Sequence, residues 1–373
     1  MSEPPQKILV ISLAGIGDTL FATPLIRVLR ERFPAAVIDA LVLWKGAADV
    51  LELNPHLNTV FQRDLLRTSK LASLRFLLQL RRRRYDVSLN TFPQSRIEYR
   101  VIARLVGARV RLSHAYEHFG WLGRRLVTTV GAPDYTRHCV DNNLQLVRNL
   151  GIQQPAAVGG YELPLAAGDH AWAAAFVAEH QLEGHPLFGL HVGSGGTKNL
   201  ALRRWHVAHY ASLIERIRQE RPDVGVLLFG GAEERAANTL LEQANPGGKV
   251  QGVAAGSLRQ AAALLARCRC FLSVDTALMH VAAAMHVPGQ IVIETPTWNP
   301  TVEPLGNPYV LVPNPAVAGR NLNYYLYNGR GIRGTKKELG RIMESVTVDS
   351  VVAAVLWGLD ETKTGLPTGR VRD

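Results

Sequence analysis

Apolar residues along this chain keep two rhythms: short unbroken runs, and longer stretches with helical spacing. The runs at 7–12, 37–43, 86–91 and 108–113 predict strands; the periodic stretches at 19–33, 69–82, 96–106 and 138–150 predict helices. Pro24 falls inside the first helical stretch, so that helix either kinks there or restarts with Thr23 as cap and Pro24 as its first residue. "GIQQPAAVGGYELPL", 151–165, interrupts the pattern with prolines and glycines and reads as a linker. Beyond it come helix 167–180, strand "LFGLHV", helix 207–220, strand "VGVLLF", helices 232–244 and 257–267, strand "CFLSV", helix 276–285 and strand "QIVIE". Ser257 and Gln260 in "SLRQ" have capping-box spacing. The expected class is α/β, with a parallel sheet covered on both faces on each side of the linker. Two such halves imply a cleft between them, a natural small-molecule site.

Composition narrows this only a little. The chain has 373 residues, 47% hydrophobic and 20% charged, which is globular and long enough for two domains. No apolar run approaches the length of a membrane span, and the polar start "MSEPPQK" does not read as a signal peptide, so a cytoplasmic location is expected. Cys139, Cys268 and Cys270 are an odd set that suits buried thiols in a reducing compartment. With no second Cys or His cluster at ligand spacing, no metal site is expected.

Charge changes the picture more. The formal net charge is +11, and twelve arginines fall within residues 75–125, among them "RRRR" at 81–84. Two readings stand. One is a solvated face, with Arg81 to Arg84 complementing a helix C-terminus. The other is a surface for an anionic partner such as acidic lipid or a phosphorylated or carboxylated substrate. No nucleic-acid-binding signature accompanies the arginines, so nucleic acid is the weaker candidate.

Four stretches carry candidate chemistry. In "KILVISLAGIGDTLFATPLIRVLRERFP", residues 7–34, Gly15 and Gly17 follow a strand as in a dinucleotide-binding loop, but Leu20 fills the third glycine position and Asp18 stands where phosphates would lie. The second strand, "DALVLWKG", ends in Trp44 and Lys45 rather than an acid, which disfavours a dehydrogenase. In "HVGSGGTKNLALRRW" a strand enters a loop around Gly193 and Ser194 whose amides can approach an anion, with Lys198, Arg203 or Arg204 adding charge. In "LFGGAEERAANTL", Glu233 and Glu234 follow a strand-end glycine pair, where a carboxylate suits a ribose diol. In "SVDTALMHVAAAMHVPG", Asp275 or Thr276 caps a helix of small residues whose first amides suit phosphate oxygens, while His280 on position alone is a core histidine.

Taken in order, these blocks resemble glycosyltransferase family 9, the ADP-heptose:lipopolysaccharide heptosyltransferases. "ARVRLS", "HCVDNNLQLVRNLGI" and "RIMESVTVDSVV" extend the resemblance over nearly the whole chain. It implies a GT-B fold, two Rossmann-like domains facing across a cleft, and an inverting transfer that needs no metal or cofactor. It implies an acceptor domain over 1–155, a nucleotide-sugar domain over 166–345, and a helix at 346–360 packing back on the first. Asp18 would be the catalytic base, with Gly15, Gly17, Gln94, Arg96 and Arg100 on the acceptor side. Arg96 and Arg100, four apart, would share one helix face. Gly193, Ser194, Lys198, Arg203, Glu233, and Asp275, Thr276, Ala277, Leu278, Met279 and His280 would hold the donor, ADP-heptose by default. The acceptor would be an anionic glycan or glycolipid, and the basic stretch would meet it or the membrane surface that bears it. Three departures weaken the link to ADP-heptose itself: Ala277 replaces a family glycine, "ETPTWNPTVEPLG" replaces a Phe-Gly-Pro-Thr segment, and "GRNLNYYLYNGRGIRGTKKELGRIM" lacks the usual cysteines. The alternatives are transfer of another sugar, a nucleotide-sugar epimerase, or an inactive nucleotide-binding module.

Overall fold

The computed structural model describes residues 3–116, 120–152, 159–193, 203–247, 249–298, 300–318, 335–360 and 370–372. The chain divides into two compact units, the first running to Pro164 and regaining Pro300–Glu303, the second beginning at Leu165.

The first unit is built from β1 (Lys7–Ser12), α1 (Ile16–Leu20), α2 (Thr23–Arg32), β2 (Val37–Val42), α3 (Lys45–Leu51), β3 (Thr59–Gln62) and α4 (Lys70–Arg82). After these come β4 (Val87–Asn90), α5 (Ile97–Val106), β5 (Val110–His114), α6 (Trp121–Arg125), β6 (Thr129–Gly131) and α7 (Cys139–Arg148). Six parallel strands lie in the order β3-β2-β1-β4-β5-β6. The apolar runs of β1, β2 and β4 are buried almost throughout because helices cover both faces. Over one face, Leu77 and Leu80 of α4 and Ala103 and Val106 of α5 meet Leu9, Ile11 and Leu41.

Local chemistry explains the interruptions. The helix restarts near Pro24 as expected, but its cap is Ala22, and the Thr23 hydroxyl donates instead to Leu20 O at 2.8 Å. His138 caps α7 by accepting the Val140 N–H at Nδ1, 3.1 Å, while its Nε2 donates to Glu303 O at 3.0 Å. That bond helps hold the returning segment on the first unit. Burial pushes the His138 imidazole below its ordinary range.

The second unit comprises α8 (Ala167–Glu179), β7 (Leu187–His191), α9 (Val207–Glu220), β8 (Gly225–Phe229), α10 (Arg235–Gln243), β9 (Val250–Gly252) and α11 (Leu258–Leu265). It continues with β10 (Cys270–Ser273), α12 (Ala277–Ala284), β11 (Gly289–Ile293), β12 (Tyr309–Val312), α13 (Lys336–Glu344), α14 (Val348–Leu359) and β13 (Arg370–Arg372). Its strand order is β13-β12-β11-β10-β7-β8-β9, parallel except for β13.

The helix expected at 346–360 forms as α14. α14 lies in the core of the second unit, where Val351, Val352 and Val355 join Ile214 and Ile217 of α9 and Ile291 of β11. Two glycines permit this approach: a Cβ on Gly289 would stand 2.4 Å from Gly358 O, and one on Gly358 would stand 2.9 Å from Cys270 Sγ. Trp205 Nε1 donates to Val346 O at 3.0 Å and ties the start of α9 to the turn before α14. Cys139, Cys268 and Cys270 are buried. Among the described residues, no single helix is long and apolar enough to cross a membrane.

Candidate active site

Each sheet has one place where its winding reverses. In the first unit the chain leaves β1 for β2 and β3, then crosses back to β4 on the other side of β1. In the second it leaves β7 for β8 and β9, then returns to β10. Loops beyond the carboxyl ends of strands at such a point diverge and leave room for a ligand. Most of the described sequence-predicted residues lie at these two places.

At the first reversal, the turn after β1 carries Gly15 and enters α1. Asp18 is the third residue of α1, and its Oδ2 accepts the Gly15 N–H at 2.7 Å. The carboxylate thus closes the turn and favours the positive end of the helix. A Cβ on Gly15 would lie 3.0 Å from that oxygen. Gly17 lies within α1. Gln94 follows β4 and is buried. Its Nε2 donates to Ile11 O and, at 2.9 Å, to Thr91 Oγ1, while the Tyr116 hydroxyl accepts its backbone N–H at 2.8 Å. Gln94 therefore ties the β4 loop to the end of β1, and its Oε1 is buried without a hydrogen-bond partner.

Arg96 and Arg100 differ in their surroundings. Arg96 precedes α5 as its cap, 45% exposed at the side chain, and donates to Glu98 at 3.2 Å. Arg100 is 1% exposed and donates to the carbonyls of Gly123, 2.8 Å, and His114. Burial lowers its guanidinium to about 10. The spacing is helical as expected, but α5 turns Arg100 inward to bridge α6 and the end of β5.

At the second reversal, β7 ends in His191 and Gly193 follows. A Cβ on Gly193 would overlap the Glu234 carboxylate at 2.4 Å, so the loop passes too close for any side chain. Ser194 and Lys198 lie outside the described residues. Arg203 is nine-tenths buried and its Nη1 pairs with Asp275, just past β10. Burial raises the Asp275 carboxyl, opposed by Arg203. Asp275 thereby positions the guanidinium rather than presenting a free acid. The cap of α12 is Thr276, whose hydroxyl accepts the Met279 N–H at 3.4 Å. Ala277 is half-buried in the first turn. Leu278, Met279 and His280 are buried, so their side chains support the helix and its terminus offers backbone amides.

Beyond β8 the two glutamates differ. Glu233 is 54% exposed and 3.8 Å from Arg204. Glu234 is buried, accepts the Gly231 N–H at 2.9 Å and pairs with Arg204 at 2.9 Å. Its structural role was missed in the sequence, although Gly231-x-x-Glu234 repeats the device of Gly15-x-x-Asp18: an acid folding back onto the amide of a strand-end glycine. Nearby, His191 is buried beside Arg204, and burial chiefly pushes its imidazole down to about 3. Among the described residues, no three His, Cys, Asp or Glu side chains form a group that could hold a metal ion.

Two Rossmann-like units in one chain, each with its functional loops at its own winding reversal, follow the plan of the GT-B glycosyltransferases. The chain belongs to glycosyltransferase family 9 (heptosyltransferase), whose model matches residues 73–320. It is 24% identical over 277 residues to lipopolysaccharide heptosyltransferase 3 of Escherichia coli, covering 73% of this chain and 78% of that one. Among solved structures, a glycosyl transferase family 9 protein from Veillonella parvula matches with a TM-score of 0.76 at 19% identity, over 96% of this chain and 98% of that one. The ADP-heptose lps heptosyltransferase II of E. coli matches with a TM-score of 0.71 at 21% identity, over 96% and 100%.

Proposed function

We propose that this glycosyltransferase moves heptose from ADP-heptose to a hydroxyl of a lipopolysaccharide inner core, with inversion at the anomeric carbon and without a metal ion. The observation that carries the reading is the division of chemistry between the two reversals. A carboxylate stands at one; a guanidinium and a helix N-terminus stand at the other.

The acceptor O–H transfers its proton to Asp18 as its oxygen forms a bond to the anomeric carbon. The anomeric carbon–oxygen bond breaks, and its electron pair leaves on the diphosphate. Arg203, oriented by Asp275, and the first amides of α12 stabilise that growing negative charge, the work a divalent ion does in other transferases. Glu233 is assigned to the ribose diol, and the close turn at Gly193 brings backbone amides to the diphosphate. Gln94 holds the acceptor loop against the end of β1. The enzyme is assigned to the cytoplasm, where its basic first unit meets the membrane surface that carries the acceptor.

Purified protein is to be incubated with nucleotide-sugars and heptose-deficient lipopolysaccharide cores, with release of nucleoside diphosphate as readout. Release only with ADP-heptose, undiminished by EDTA and giving a product of inverted anomeric configuration, is the expected result. Preference for another sugar would assign the Ala277 departure to donor choice. Loss on EDTA treatment restored only by a divalent ion would overturn the metal-free mechanism.

A further inference from the structure

The helices over one face of the first sheet carry apolar side chains on their outer sides as well as their inner ones. Helix α4 turns Leu77 and Leu80 into the core, yet Leu71, Leu74 and Leu78 are 59%, 38% and 43% exposed. Their spacing of three and four residues places them in one outward stripe. Arg75 and Arg82, each four residues beyond a stripe leucine, are exposed beside it, and α4 contains no acidic residue. Leu66, in the turn before the helix, is 56% exposed. Alongside, α5 repeats the pattern with Ile97 and Val101 exposed at 37% and 40%, and Arg104 exposed three residues beyond Val101. Among the described residues, every exposed large apolar side chain except Leu240 belongs to the first unit. Scattered surface leucines need no explanation; a concentrated, aligned set with a basic border does.

The four consecutive arginines divide in two. Arg81 donates to Leu105 O at 3.4 Å, and Arg83 lies 3.3 Å from Asp39 and 5.0 Å from the Phe61 ring centroid. All four are exposed, but among the described residues Arg82 and Arg84 make no such side-chain contacts. The outward charge therefore borders the leucine stripe instead of forming a uniform basic run.

We infer that the outer face of α4 and α5 is a membrane-insertion ridge for an anionic bilayer. The leucines enter the boundary between headgroups and acyl chains, and Arg75, Arg82, Arg84 and Arg104 meet lipid phosphates. Charge complementarity selects this occupant over a second copy, whose ridge would bring like charges together. The inference deepens the proposed function and rests on it for the presence of the acceptor in that bilayer. Beyond electrostatic attraction, it requires a binding component that survives salt.

The experiment is co-sedimentation of the full chain with phosphatidylglycerol–phosphatidylethanolamine vesicles at low and high salt. Sugar transfer to a delipidated, soluble core is measured in parallel. Leu71→Gln/Leu74→Gln/Leu78→Gln, which keeps good helix formers at exposed positions, should weaken partitioning on the order of a hundredfold at both salts. Transfer to the soluble core should be unchanged. Arg75→Gln/Arg82→Gln/Arg84→Gln should weaken binding at low salt and leave the high-salt fraction intact. Wild-type partitioning by the leucine variant overturns the ridge. So does a wild-type dimer, seen by sedimentation velocity, that the leucine variant dissolves. Vesicle binding without transfer to any core would overturn the transferase reading and leave the ridge standing.

Discussion

Asp18→Asn separates the two tasks available to this carboxylate. Its Oδ2 accepts the Gly15 N–H at 2.7 Å and closes the first turn of α1. The asparagine carbonyl can accept the same bond, so the structural loss is limited to charge assistance and the helix-terminus interaction, about 0.5–1 kcal/mol. In a unit of this size that lowers the melting temperature by about 2–4 °C at most. Removal of a general base costs about a hundred- to ten-thousand-fold in rate, or about 3–5 kcal/mol of transition-state stabilisation. The two effects are far enough apart to be read independently. Turnover by diphosphate release should collapse, while donor affinity by calorimetry and the melting temperature stay near wild type. Asp18→Ala, which also loses the turn-closing acceptor, should melt lower than Asp18→Asn at similar residual turnover. An asparagine variant with turnover close to wild type would show that Asp18 serves only the turn.

Arg203→Ala leaves Asp275 buried without its guanidinium, a loss of about 3 kcal/mol or more; it should lower stability, weaken donor binding and slow chemistry, with partial rescue by Arg203→Lys. Wild-type turnover in Arg203→Ala would reassign the diphosphate to another cation. Glu234→Ala should cost about 1–3 kcal/mol by exposing the Gly231 amide and unpairing Arg204, whereas Glu233→Ala should raise the donor KM at unchanged melting temperature. Equal melting losses would erase that distinction. Burial holds His191 neutral down to about pH 3 and His114 down to about pH 4, against an ordinary histidine value near 6.5. Between those values the unfolded chain binds more protons, so stability falls as pH drops below about 6.5, by ~1.4 kcal/mol per unit for each histidine. His191→Asn should flatten that slope in melting curves taken from pH 7 to 4; an unaltered slope would refute the assignment.

The long buried strands were legible because helices on both faces demand unbroken apolar runs. The short edge elements were not. β3 is only partly buried and β6 has three residues, so neither carries a strong apolar signal. Asp18 was legible as an anomaly, an acid in a phosphate-like loop, while its bond to Gly15 was hidden by the absence of a Ser or Thr cap. Arg203 and Lys198 could not be separated in sequence, because the buried partner of Arg203 lies 72 residues away. The burial of Arg100 was hidden for a related reason. Helical spacing places residues on a face, but its compensation comes from two carbonyls that no local pattern reveals. The burial of α14 was legible from its apolar composition, but its partners were not, because an apolar helix advertises burial without naming the surface that buries it.

The contact between Gly289 and Gly358 has a temporal side. Strands β7 to β12 emerge from the ribosome before α14, yet Ile291 and Ile217 share their core with Val351, Val352 and Val355 of that later helix. The first unit has its six strands by residue 131 and its last described helix, α7, by residue 148, so it can fold while synthesis continues. The second must wait with an apolar sheet face open. Substitutions that widen residue 289 or 358 would therefore act during biogenesis, prolonging an aggregation-prone interval, before they act on the finished enzyme.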